Sequence, residues 1–181
     1  MKKYFLVIIF LIMIAGCSIS IRDKSEDKTN ELYLIPSGFE GSIIVFYNVP
    51  NKPKLEKEGK YSVIPVKLEY LKALEGTEIH QYGIYITSTP DIFTSKPYMD
   101  SATVNNKYYY IDKNGDRTAI DEQCTNFSTS GSFTGDNGKE IDYQSIQITK
   151  SHCGEAFYHD GLDIYNTQKK EVIKYWRDDQ L

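Results

Sequence analysis

Lys2 and Lys3 precede an almost unbroken apolar stretch from Tyr4 to Ala15, which ends on Gly16-Cys17. This opening limits what the rest can fold into, because it decides the surroundings in which folding happens. The stretch is shorter than the ~20 residues a helix needs to cross a bilayer. A positive start, a short apolar centre and small residues at its end are the parts of a secretory signal. The remainder is therefore expected to fold outside the cytoplasm. Beyond Cys17 the chain holds Cys124 and Cys153. An even pair in an exported protein reads as a disulfide.

Ile14-Ala15-Gly16-Cys17 resembles the lipobox of bacterial lipoproteins. The resemblance implies cleavage between Gly16 and Cys17 and a diacylglycerol cysteine carrying two palmitate-type chains. Two chains suffice for stable anchoring, since each buried CH₂ contributes ~0.8 kcal/mol. The membrane, reached through the lipid on Cys17, is thus the first expected partner. The expected location is the extracytoplasmic face of the cell membrane. Ser18, not Asp, follows the cysteine. In an envelope of two membranes, lipoprotein sorting rules would then not hold the chain at the inner one. The division implied is a signal peptide over 1–16, a lipidated cysteine and flexible tether over 17–30, and one β-rich domain over 31–181. The tether is polar, charged and without periodicity.

Without Lys2 and Lys3, 19 basic side chains face 25 acidic ones, a net charge of −6. That argues against nucleic acid as a partner. Fifteen Tyr and eight Phe can fill a β core, and enrichment in Tyr, Ile, Val and Thr favours strands. Leu32–Ile35 is a short strand turned by Pro36-Ser37-Gly38. Ser42–Asn48 is apolar on both faces, as a central strand requires. Tyr61–Val66 is a strand that Pro65 confines to an edge or a bulge. Leu68, Leu71 and Leu74 recur at three-residue spacing before Gly76, which predicts a short helix over Lys67–Gly76. His80–Ser88 is a strand, and Thr89–Val104 a long loop.

Lys107–Asp112 and Arg117–Ile120 flank Lys113-Asn114-Gly115-Asp116, a hairpin signal that predicts a type I′ turn at Asn-Gly. The Ser-, Thr- and Gly-rich stretch Asp121–Gly138 predicts a loop. Glu140–Lys150 is a strand, Ser151–Gly161 is irregular, and Leu162–Tyr165 is a last strand. Thr167–Asp178 is a helix with Val172, Ile173 and Trp176 on one stripe. The fold class expected is mainly β: a prealbumin/Ig-like β-sandwich with a short C-terminal helix.

The opening Tyr33-Leu34-Ile35-Pro36-Ser37-Gly38-Phe39-Glu40-Gly41, with Gly59–Val66 and Thr87-Ser88-Thr89-Pro90, resembles an uncharacterised family of small bacterial lipoproteins. That resemblance covers about the first half of the domain and implies a shared fold, with no site residues to carry over. The strand–turn–Gly-x-Tyr pattern is more loosely similar to prealbumin-like sandwich modules.

Candidate chemistry is sparse. Asp112–Asp116 has an acidic spacing like a calcium loop, but Arg117 and Gln123 stand where Gly and Glu belong. His152, Cys153, His159 and Asp160 could supply zinc ligands or a Cys153 nucleophile with a histidine base. Pairing with Cys124 competes with both. Glu56, Glu58, Glu69, Glu75 and Glu78 lie among lysines, as a solvated surface does. Tyr108-Tyr109-Tyr110 alternates along a strand, so one set faces the core and the other could form an aromatic platform. No metal and no cofactor is expected. The leading function is a non-enzymatic binding module at the cell envelope with a protein or glycan ligand. The alternatives are an envelope inhibitor or immunity-type lipoprotein, and a hydrolase using Cys153, His152 and His159.

Overall fold

The computed structural model describes residues 30–92 and 104–181. The signal segment, Cys17, residues 18–29 of the tether and most of the expected 89–104 loop lie outside the described residues. Strands β1 (Glu31–Pro36), β2 (Gly41–Tyr47), β3 (Glu56–Glu58), β4 (Tyr61–Pro65), β5 (Lys67–Tyr70), β6 (Gln81–Ile86), β7 (Lys107–Ile111), β8 (Arg117–Ala119), β9 (Thr125–Thr134) and β10 (Glu140–Ile148) precede helices α1 (Glu155–Asp160) and α2 (Asp163–Asp179). The strands form two five-stranded sheets, ordered β3-β4-β1-β7-β8 and β5-β6-β2-β10-β9. The expected mainly β sandwich with a C-terminal helix is the fold observed.

Both sheets are mixed. β1 pairs in parallel with β4 and β7, and β2 in parallel with β6. The sandwich has a third layer. Ile43, Val45 and Tyr47 of β2 face the first sheet, with Tyr33, Ile35, Ile64, Ile146 and Ile148. Ile44 and Phe46 face the other way, onto Phe157, Tyr165 and Val172 of the helices. That is why β2 is apolar on both sides: it lies between the sheet partner and the helix layer. Gln168 of α2 ties the helix to this sheet. Its Oε1 accepts from Ser42 N–H at 2.6 Å, and its Nε2 donates to Ile79 O at 2.6 Å and Gln81 O at 2.7 Å.

Pro65 sits where its missing donor costs nothing. Ser62 and Val66 donate to β1, so the odd-numbered residues turn towards β3, and β3 pairs no further along than Val63. The strand therefore has a local edge at Pro65.

Five expectations are corrected. Lys67–Gly76 is not a helix but strand β5 and a single 3₁₀ turn, Lys72–Leu74. Its leucines do not share one face: Leu68 packs into the inter-sheet core, Leu71 and Leu74 into the helix-side core. Asp121–Gly138 is not a loop but contains β9. A register shift opposite Ser145/Ile146 sends Phe127 to one core and Phe133 to the other, which hides the alternation. Leu162–Tyr165 is not a strand, and Ser151–Gly161 contains α1; Tyr165, Gln168 and Val172 form one buried helical stripe. The hairpin at 107–120 is present, but its turn is not type I′. Gly115 has positive φ (88°) while Asn114 does not. Asp112 Oδ1 accepts from the N–H groups of Asn114 and Asp116 at 2.9 Å each, which closes a longer loop.

Candidate functional site

The pleat of β7 separates the three tyrosines. Tyr108 and Tyr110 pack against the inter-sheet core, and Tyr109 turns to the outer face. Tyr110 is committed to structure. Its Oη donates to Phe39 O at 3.0 Å, and Lys150 Nζ sits 5.0 Å from its ring centre. Partial burial raises its hydroxyl to about 12. Tyr108 stacks on Tyr33 at 5.1 Å, and burial raises its hydroxyl well above the ordinary range.

Tyr108 and Tyr109 line a cleft of about 610 Å³ between the β7–β8 hairpin and the start of β9 with α1. Asn106, Lys107, Glu122, Asn126, Tyr158 and His159 are among the residues that line it with them. The sequence puts these residues far apart, and the fold joins them because α1 packs on the first residues of β9. There Asn126 Nδ2 donates to Tyr158 O at 2.8 Å. Tyr158 and His159 are exposed, with rings 5.0 Å apart.

Behind the cleft lies a carboxylate that sequence reasoning missed. Glu31 is 4% exposed. Its two oxygens accept from Tyr47 Oη at 2.6 Å and Tyr33 Oη at 2.9 Å. Asn106 clamps it twice: Asn106 Nδ2 donates to Glu31 Oε2 at 3.3 Å, and Glu31 N–H donates to Asn106 Oδ1 at 3.1 Å. Complete burial pushes the Glu31 carboxyl up to about 7, and the neighbouring Asp91 adds to the rise against the lowering effect of the tyrosine bonds. Asp91 accepts from Gln144 Nε2 at 2.7 Å. A signal was available. Tyr33 and Ile35 are core residues of β1, so a period of two places Glu31 on the same inward face.

The remaining candidates do not converge. Cys124 and Cys153 are bonded to each other and clip together the open end of the β9–β10 hairpin. His159 lines the cleft, whereas His152 does not; it sits 2.8 Å from Ser151 Oγ, which donates to Glu40. Partial burial opposes ionisation of Glu40, but the bonds its Oε2 accepts from Thr149 Oγ1, Lys150 N–H and Ser151 outweigh it and hold the carboxyl below its ordinary pKa. Glu56, Glu58, Glu75 and Glu78 are exposed. Among the described residues no three His, Cys, Asp or Glu side chains are grouped to hold a metal ion.

The chain is similar to a crystal structure of a Bacillus anthracis protein named as a lipoprotein. The two share 29% identity at a TM-score of 0.59, over 83% of this chain and 96% of that one. No curated protein matches the chain. The defining pattern of a family of unknown function, DUF6843, matches residues 27–157, which run from just before β1 into the first turn of α1 and hold the Glu31 cluster and the cleft except for Tyr158 and His159. The chain belongs to the DUF6843 family.

Proposed function

We propose that the chain is a cell-envelope lipoprotein, anchored through Cys17, whose domain binds a neutral polar ligand in the β7–α1 cleft without chemistry. The observation that carries this is the wall of the cleft. Tyr108, Tyr109 and Tyr158 supply ring area at low entropic cost, Asn106 and Asn126 frame it with amides held by Glu31 and Tyr158 O, and Lys107 and Glu122 balance each other in the lining. A glycan or an uncharged peptide matches such a surface. The similarity to a protein named as a lipoprotein supports the envelope placement. A hydrolase through Cys153 is disfavoured, because that sulfur is bonded to Cys124 and the two histidines stand apart.

Two experiments test the reading. Cys17→Ser should abolish incorporation of labelled fatty acid; continued labelling removes the anchor. Titration with N-acetylated oligosaccharides and with uncharged peptides, followed by calorimetry, tests the cleft. Tyr158→Ala should weaken whichever probe binds while leaving the melting temperature unchanged. Binding that is indifferent to Tyr158 places the ligand elsewhere, and a turnover lost in His159→Ala would replace binding with catalysis.

A further inference from the structure

Three of the four sheet edges are blunted. β3 and β8 have three residues each and carry Glu56, Lys57, Glu58 and Arg117. β5 has four, including Lys67 and Glu69. The fourth edge, β9, runs ten residues without a charge or a proline. A long uncharged edge is what proteins usually avoid, because its free N–H and C=O groups template another strand.

The register tells which groups are free. Gly135 N–H donates to Lys139 O, so that pair is hydrogen-bonded, and bonded and unbonded pairs alternate from there. Phe133, Gly131 and Thr129 aim their backbone at β10; Ser130, Ser132 and Thr134 aim theirs outward. Those three residues are exposed. Among the described residues no backbone group bonds to them from the open side, and one side chain does: Thr129 Oγ1 donates to Ser130 O at 3.3 Å, which leaves that carbonyl a second lone pair. Helix α1 is bonded to β9 near its start, where Asn126 Nδ2 donates to Tyr158 O.

We infer that Thr129–Thr134 is a dimerisation edge, where β9 of a second copy of this chain pairs antiparallel about a two-fold axis near Ser132. The two second sheets then become one continuous sheet. Charge selects the second copy and the antiparallel direction. The chain carries a net charge of −4, and the paired residues of this strand are themselves uncharged, although the Glu140 carboxylate reaches the two-fold, where its Oε1 accepts from Ser132 Oγ at 2.6 Å. Its two ends differ. Lys169 Nζ lies 2.6 Å from Ser128 Oγ at one end, and Asp136 and Glu140 flank Thr134 at the other. An antiparallel copy sets the basic end against the acidic end, and a parallel copy sets like against like. The two-fold makes one patch serve both partners.

The test uses the full chain in detergent. Ser132→Cys should form a disulfide-linked dimer on mild oxidation, mapped by mass spectrometry to the introduced cysteine. Lys57→Cys on β3 should not link. Adding Ser130→Pro, which removes an outward N–H and no β10 bond, should abolish the linkage with an unchanged melting temperature. If that proline unfolds the chain, Ser130→Glu carries the test by setting a carboxylate against the partner's Thr134 end, where Asp136 and Glu140 lie. Absence of the linked dimer, equal linkage at both sites, or linkage indifferent to the Ser130 variant overturns the proposal.

Discussion

Arg117 and Glu58 form a bidentate ion pair, Nη1–Oε1 2.8 Å and Nη2–Oε2 2.9 Å, although they occupy the two outermost strands of the first sheet. They also lie at opposite ends of it. Glu58 pairs with Tyr61, next to the start of β1, whereas Arg117 pairs with Ile111, which lies beside Pro36 at its end. In a flat sheet, with strands about 4.8 Å apart and about 3.3 Å per residue, such corners would be well over ~20 Å apart. The sheet is coiled until its diagonal corners meet over the outer face. Leu32 points to that face yet is 4% exposed. Lys107 Nζ, reaching across β1 to 5.0 Å from the Tyr61 ring centre, helps to cover it.

Breaking the clasp should therefore matter locally. Both side chains are substantially exposed, so the pair adds little global stability and less in high salt. Arg117→Ala should leave the melting temperature nearly unchanged but speed hydrogen exchange at Arg117–Ala119. Exchange in β2 should not change. Uniform acceleration across both sheets would contradict a local clasp.

Glu31 should make stability depend on pH. Its folded value of about 7 lies above the ordinary 4.5, so the folded state holds the proton more tightly than the unfolded chain does. Its stabilising share is complete below about pH 4.5 and is lost as pH rises through 7. The span corresponds to a loss on the order of 3 kcal/mol. Glu31→Gln keeps an oxygen for the tyrosine hydroxyls and removes the charge. Denaturant unfolding between pH 4.5 and 8 should flatten in that variant, and an unchanged slope would exonerate Glu31.

Gly83 should resist enlargement. A Cβ there would meet Ile43 Cγ1 at 2.7 Å and Val66 Cγ1 at 2.8 Å, both held in the inter-sheet core. Gly83→Ala should cost about 1–3 kcal/mol by overpacking. Gly115→Ala meets no atom but strains a φ of 88°, at roughly 1 kcal/mol. Thermal denaturation should rank the two in that order. Gln168→Ala should cost at least as much as Gly83→Ala, since it orphans the buried Ser42 N–H and Ile79 carbonyl and the half-buried Gln81 carbonyl.

What the sequence disclosed follows from which signals are local. The doubly apolar β2, the 107–120 hairpin and the α2 stripe are written in side-chain periodicity, and the structure has them. β9 was illegible because its two phenylalanines serve different cores across a register shift, leaving only three serines, a threonine and Gly131 between them. β5 was misread because three leucines at helical spacing divide between the two cores. The cleft joins β7 to α1 across some fifty intervening residues of chain, and no local pattern announces that contact. Glu31 is the first residue of the expected domain, beside a charged tether, and nothing local marked it as buried.

Bonding between Cys124 and Cys153 spans a sequence separation of 29 and holds the 122–124 turn beside the start of α1. Two backbone bonds, Thr149 N–H to Cys124 O and Gly154 N–H to Gln123 O, lie alongside. Reduction should cost roughly 3–4 kcal/mol in the chain-entropy model. Calorimetry with and without reductant checks this. Intact-mass alkylation of the unreduced chain should find neither thiol free, and two alkylated thiols would return Cys153 to the list of nucleophiles.

The three tyrosines of β7 should separate by readout. Tyr108 and Tyr110 anchor β7 to the core: one stacks on Tyr33, and the other bonds Phe39 O under Lys150. Truncating a packed aromatic commonly costs about 3–5 kcal/mol, and half-burial puts these at or below the lower end of that range. Tyr108→Ala and Tyr110→Ala should therefore lower the melting temperature by several degrees. Tyr109 faces outward and lines the cleft, so Tyr109→Ala should change the melting temperature little and weaken oligosaccharide or peptide capture. Tyr108→Ala complicates the reading, because it removes both a cleft wall and a core contact. Tyr108→Phe removes only the hydroxyl and keeps the ring, so it should preserve stability and lose affinity if that hydroxyl meets the ligand. If Tyr109→Ala and Tyr108→Phe both bind as the parent chain does, the β7–α1 cleft is not where the domain holds its partner.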